Sequence, residues 1–359
     1  MIKFKWINEP AKEISELHFH NALNHQARLT KPAGSLGRLE ELSVRIAAMQ
    51  GTSTPIPDPM HISIFAGNHG VTQLGISAYP KEVTGQMIKN FADGGAAINV
   101  MAKELNAKIE VICLGVALPV KNIGVAVHNI ANISLPAETQ NITKTPAMTT
   151  DQLALCLHTG KQNVHQAKLE GARLFIGGEM GIGNTTVAAA MATVLLKTDA
   201  KNLVGPGTGL NEKGVKKKIE IVNSAVKQYL SSRQDETTIE ALRCLGGFEI
   251  AALTGSYISA AQCGIPVLID GFISSVAALT ACHINQSISP WLIFGHQSTE
   301  PGHQHILAAL DAKPILNLDM RLGEGSGAAA SALLVRLACN LHNHMATFDS
   351  AEITSKLDN

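Results

Sequence analysis

A chain of 359 residues, 45% of them hydrophobic, can fill one large core or two smaller ones, so disorder is not expected. Its 29 Lys and Arg balance 29 Asp and Glu; no net field recruits nucleic acid or an anionic membrane, and any anion must be held by local groups. No apolar run makes a charge-free membrane span, Met1-Ile2-Lys3-Phe4-Lys5-Trp6 has no signal-like stretch, and the six cysteines follow no C-x-x-C spacing, so a reducing cytoplasm is the expected compartment.

Residues 9 to 30 carry a helical pattern with one polar side, where His18, His20 and His25 are spaced too irregularly for a metal face. Pro32-Ala33-Gly34 breaks it, Ser35 is placed to cap a second helix, and Leu36, Leu39, Leu42 and Ile46 recur at helical spacing up to Gly51. Because this precedes the alternating pattern, residues 1–55 are expected to form a small helical lobe or a dimer contact. Residues 56–345 then make the α/β domain and 346–359 a C-terminal tail.

From His61 onward one event repeats. A short β-rich apolar run ends in glycine and polar residues, and a helical stretch follows. The runs are His61 to Phe65, Ile109 to Leu114, Leu174 to Ile176, Val267 to Ile269, Leu292 to Phe294 and Ile315 to Leu318. Strands alternating with helices predict a mostly parallel sheet in a three-layer α/β/α arrangement, with every glycine-polar strand end on one edge. That carboxyl edge is where open α/β sheets bind ligands. Residues 119 to 150, rich in Asn, Thr and Pro, read as an excursion or weak hairpin before a helix near 151 to 170.

Three strand ends carry candidate chemistry. Arg321-Leu322-Gly323-Glu324-Gly325-Ser326-Gly327 holds a lone carboxylate between glycines, which either lets a flat ligand approach the main chain or simply turns a strand into a helix. Gly177-Gly178-Glu179-Met180-Gly181-Ile182-Gly183-Asn184-Thr185-Thr186 opens a helix; successive amides there can cradle a phosphate, although the spacing fits neither a Walker A loop nor a dinucleotide fingerprint. Of Lys213, Lys216, Lys217 and Lys218 downstream, one facing the cradle would supply a cation. In Gly295-His296-Gln297-Ser298, followed by His303 and His305, zinc is the sharper reading. The histidines do not share a helix face, however, and Ser298 reads better as a hydroxyl donor to phosphate or ribose.

With these stretches placed, the sequence resembles the nicotinate-nucleotide:dimethylbenzimidazole phosphoribosyltransferases. The resemblance rests on Lys31 to Gly37, Ala66 to Val71, Tyr79 to Thr84, Phe91 to Asn99, Gly178 to Thr186, Gly205 to Leu210, Gly271 to Ile273 and Arg321 to Gly327. It implies transfer of phosphoribose from nicotinate mononucleotide to 5,6-dimethylbenzimidazole or a related base, with inversion at C1′ and release of nicotinate. It needs neither cofactor nor metal and implies a homodimer. Carried over residue by residue, it assigns the base to Glu324 and a second catalytic carboxylate to Glu179. Phosphate contacts fall to Gly181, Gly183, Asn184, Thr185, Thr186, Lys218 and Ser298; Met180, Leu322 and Gly323 fall in the substrate pocket and Gln86 at the benzimidazole. A pyridinium leaves as a neutral ring and needs no general acid, so one base between glycines can suffice. Apolar pockets discriminate weakly between similar rings, so other benzimidazoles or purines are expected to be accepted.

Overall fold

Six strands form one sheet: β1 (Met60–Gly67), β2 (Lys108–Leu114), β3 (Val127–Asn129), β4 (Leu174–Met180), β5 (Val267–Ile269) and β6 (Leu292–Phe294). They lie in the order β3-β2-β1-β4-β5-β6, and every pairing is parallel. These come from a computed structural model describing residues 2–116, 127–129 and 135–354. The order reverses between β1 and β4, the switch point at which doubly wound sheets open a crevice beyond their carboxyl ends.

The helices are, in chain order, α1 (Glu16–Arg28), α2 (Arg38–Gln50), α3 (Glu82–Ala92), α4 (Ala97–Glu104), α5 (Thr150–Leu169), α6 (Asn184–Leu196), α7 (Glu212–Ser232), α8 (Thr238–Leu245), α9 (Phe248–Cys263), α10 (Phe272–Ile284), α11 (Pro301–Ala309) and α12 (Ser326–His344). Strand residues alternate between faces, and β4 shows both layers directly. A Cβ added at Gly177 would meet Leu253 and Tyr257 of α9, whereas one at Gly178 would meet the backbone of Glu324, just before α12. α9 is buried from Phe248 through Ala261. Wedged between the sheet, α5 and α10, it needs no polar stripe. No helix among the described residues is long and apolar enough to cross a membrane.

At the N-terminus the helical pattern begins later than expected: a 3-10 segment, Ile2–Asn8, precedes α1. Residues 9–15 are held outside a helix by tertiary hydrogen bonds, from Asn285 to Glu9 O and from Trp291 to Lys12 O. Ser35 does not cap α2. The carboxylate of Glu40 accepts the Gly34 and Leu36 N–H groups instead, and the buried Lys31 lies 2.9 Å from it. Gly51 ends α2 in the left-handed conformation, as its position suggested. The C-terminal stretch pairs with the N-terminal region through Thr30 N to Ala346 O and Phe348 N to Arg28 O, both 2.9 Å.

Two strand expectations are corrected. Ile315 to Leu318 is not a strand: a single bridge joins Leu316 to His296, Leu318 is 59% exposed, and Asp319 takes φ 54°, which turns the chain away. The sixth strand is β3, which lies inside the segment read as an excursion or hairpin and pairs parallel to β2. The rest of that segment between 119 and 134 lies outside the described residues.

Candidate active site

A cavity of about 270 Å³ opens where β4, β5 and β6 end, close to the small end of ligand pockets. Glu179 and Met180 come from β4, Asp270 and Gly271 from the end of β5, His296 and Ser298 from the loop after β6, and Arg321 to Gly323 from the turn before α12. Loops more than a hundred residues apart in sequence therefore share one crevice.

The β4 end of this crevice is built for an anion. Gly183 takes φ 96° as the residue before α6, a conformation that favours glycine, and it lets Gly181, Ile182 and Asn184 wrap the helix N-terminus. Ile182 N–H donates to Thr84 of α3 at 3.1 Å, and the Asn184 amide donates to the Glu179 carboxylate. Thr185 lines the cavity, and its Oγ1 accepts from Lys218 Nζ at 2.8 Å. Lys218, 1% exposed, also donates to Gly205 O at 3.2 Å. Burial pulls this lysine down to about 8, with Glu300 pulling the other way, so it stays cationic at neutral pH. Lys213, Lys216 and Lys217 are exposed. Among four neighbouring lysines, the helical period of α7 turns one to the cradle.

Across from it stands the Glu324 turn. Gly323, Glu324 and Gly325 take φ of 87°, 63° and 80°. Three successive left-handed residues reverse the chain sharply, and the middle one is not glycine, an uncommon and strained state that clusters at functional sites. Gly178 packs so closely that a Cβ there would stand 2.6 Å from the Glu324 carbonyl. The turn packs closely on Glu179, since a Cβ at Gly323 would stand 2.6 Å from Glu179 Oε1, and the Glu324 N–H faces that carboxylate. Glu324 is 5% exposed, and its Oε2 has no hydrogen-bond partner among the described residues. Burial, followed by the charge of Asp270, lifts its carboxyl to about 7. Burial also holds Glu179 well above the usual carboxylate range, with Asp270, Glu249 and Glu324 adding to the lift. Buried carboxylates held together suit a ligand with positive charge on it.

The structure brings Glu179, Met180, Gly181, Asn184, Thr185, Ser298, Leu322 and Gly323 onto the cavity wall, with Lys218 directly behind Thr185. Glu324 lies behind Gly323, while Gly183 and Thr186 are buried in the base of the cradle. Gln86 is not brought in: it sits on the exposed side of α3, outside the cavity lining. His303 is no open ligand, because Nδ1 accepts from Ser298 N–H at 2.8 Å and Nε2 meets Ser275 Oγ at 2.9 Å. His305 is exposed. Sequence reasoning passed over Asp270, Glu300 and Arg321 as parts of the cavity. Asp270-Gly271 carried the same strand-end signal as the chosen motifs, but a lone Asp at a turn has nothing in its neighbours to set it apart.

Sheet order and a crevice beyond the carboxyl ends of the strands define a small-ligand α/β protein of the doubly wound class. The phosphoribosyltransferase family model matches residues 11–353. The chain is 50% identical to the nicotinate-nucleotide:dimethylbenzimidazole phosphoribosyltransferase of a Pseudomonas fluorescens strain over 351 residues, covering 98% of each chain. It is also 50% identical to that of Ectopseudomonas mendocina over 355 residues, covering 99% of each. The crystal structure of CobT from Thermus thermophilus superposes with a TM-score of 0.89 at 37% identity, covering 95% of this chain and 100% of that one. This chain belongs to the nicotinate-nucleotide:dimethylbenzimidazole phosphoribosyltransferase family.

Proposed function

We propose that this chain transfers phosphoribose from nicotinate mononucleotide to 5,6-dimethylbenzimidazole or a related base, giving α-ribazole 5′-phosphate and nicotinate for the cobalamin nucleotide loop. One observation carries the site assignment: the strained turn of Glu324 packs through Gly323 against Glu179, whose carboxylate flanks the same cavity as the Thr185–Lys218 cradle. The 5′-phosphate sits in the cradle, held by the Gly181 to Thr186 segment, Lys218 and Ser298. The ribose then spans the floor, and its anomeric carbon lies beside the carboxylates.

The donor carries a formal positive charge on its ring nitrogen, and C1′ gains positive character as the C1′–N bond breaks. Fixed carboxylates aimed at such a centre stabilise it without reorganising. Glu324 removes the N–H proton of the incoming benzimidazole while the other ring nitrogen attacks C1′. A carboxyl raised to about 7 is matched to that task, since a general base works best near the operating pH. Met180, Leu322 and Gly323 flank the rings. Gln86 enters this reading through family resemblance alone, reaching the base only if α3 moves.

Incubating purified protein with nicotinate mononucleotide and a panel of azoles and purines, and following nicotinate release, tests the reading. Release that depends on an azole supports it; no release with any acceptor refutes it. We further propose a cytoplasmic homodimer, with residues 1–55 forming a small lobe or the dimer contact. Light scattering at dilute concentration showing only 38.0 kDa would refute the dimer.

A further inference from the structure

We propose that Asp270 and His296 are positioning residues for Glu324: the Asp270 carboxylate clamps the turn that carries it, and His296 holds that carboxylate in place. This rests on the reading of Glu324 as the base and deepens it.

Asp270 ends β5 and is 1% exposed. Its Oδ2 accepts from Gly325 N–H at 3.2 Å, immediately after Glu324, and its Oδ1 accepts from Ala328 N–H at 2.9 Å in the first turn of α12. The N–H groups of Gly271 and Gly327 also point at it. One carboxylate thus grips the end of the left-handed run and the start of the helix, where a negative charge is favoured. Nothing else among the described hydrogen bonds ties the Gly325 N–H. His296 is 3% exposed, with Nε2 3.6 Å from Asp270 Oδ1. Gly327 packs onto its imidazole so tightly that a Cβ there would overlap the ring, and a Cβ at Gly271 would stand 3.1 Å from Nε2. The ring is a wedge between the β5 end and α12, and Asp270 cannot swing away from the turn while it is there.

The charged groups that act on Glu324 are Asp270 from β5 and Glu179 from β4; His296 from beyond β6 stands against Asp270, and Arg321, on the same segment as Glu324, lines the cavity and donates to Gly207 O. Asp270 contributes charge as well as geometry. Its negative charge adds to the lift that burial gives the Glu324 carboxyl; burial raises the Asp270 carboxyl as well, and His296 opposes that rise. Removing either partner therefore moves Glu324 in the same direction, toward an ordinary carboxylate.

The test uses Asp270→Asn, which keeps the shape and one acceptor oxygen, and His296→Gln. The Glu324 carboxyl is followed by ¹³C NMR, its resonance assigned by loss in Glu324→Gln, alongside kcat, KM and the pH profile of nicotinate release. For Asp270→Asn the Glu324 midpoint falls by about one pH unit, the acid limb of kcat follows it, and kcat drops about tenfold or more with KM for the nucleotide little changed. His296→Gln shifts both the same way by less. An unmoved midpoint in folded Asp270→Asn overturns the proposal, as does a kcat loss that only tracks loss of folded protein. Should Asp270→Asn fail to fold, an unmoved midpoint and limb in His296→Gln overturns it. If the parent protein releases no nicotinate while the midpoint still falls in the variants, the proposed reaction fails and the positioning stands.

Discussion

Replacing Glu324 by Gln is expected to stabilise the fold above neutral pH while removing turnover. The folded chain lifts this carboxyl from 4.5 to about 7, whereas the unfolded chain returns it to the ordinary value. Below 4.5 both states hold the proton and the glutamate costs nothing. Between 4.5 and 7 the unfolded state ionises first, so native stability falls as pH rises, and above 7 the full penalty is present. That penalty is about 3 kcal/mol. Glutamine has the same shape and left-handed strain but no charge, so the variant lacks the penalty. For a chain of this length the gain corresponds to about 4 °C in Tm. Thermal melts of both proteins at about pH 5 and about pH 8.5, with nicotinate release measured at the same pH values, read both halves. The expected result is a small Tm gain on the acid side, the full gain on the alkaline side, and a fall in turnover of about 100-fold to 10,000-fold. A gain independent of pH, or turnover retained by the variant, would contradict this account of Glu324. The trade is the usual one at a site whose groups are held away from their preferred state.

Lys218→Met should raise KM for the nucleotide about 10-fold to 100-fold with a smaller loss in kcat, because one charge-assisted contact to phosphate is gone; in the parent protein, nucleotide affinity should weaken as pH rises through about 8 and the lysine loses its proton, as titration calorimetry will show. Gly178→Ala should cost about 1–3 kcal/mol in a denaturant melt and depress kcat more than KM, since its methyl group would press on the Glu324 carbonyl. Dialysis against a chelator should leave nicotinate release unchanged. Loss restored by zinc would return His296, His303 and His305 to consideration.

Much of the fold was legible because the signals are local. Val267–Ile269 and Leu292–Phe294 were read at their observed limits, and β1, β2 and β4 at their cores, since a β-rich run closed by glycine and a helix start leaves few alternatives. The false strand at Ile315 to Leu318 has the same composition but meets only the end of β6 and the loop after it, where Ile315 and Leu316 form backbone hydrogen bonds and a single bridge results. The cradle and the Glu324 turn were legible for a different reason: glycines packed around one acidic residue are costly in an ordinary turn. Asp270 was not, because its importance comes from the N–H groups of residues 325 and 328, more than fifty positions away.

Local patterning along the chain was enough to mark most strands and helices, to put the glycine-polar strand ends on one edge, and to mark the glycine-rich stretches around Glu179 and Glu324, while family resemblance named the roles of those two residues and of Lys218. Packing in three dimensions was needed to bury Lys218 against Thr185, to set Asp270 on the Glu324 turn, to complete the sheet with β3, and to hold Glu324 near 7. The division has one physical cause. Backbone conformation follows from residues within a turn or two of each other, whereas burial, charge and register depend on groups brought together through space, and no stretch of chain carries that information alone.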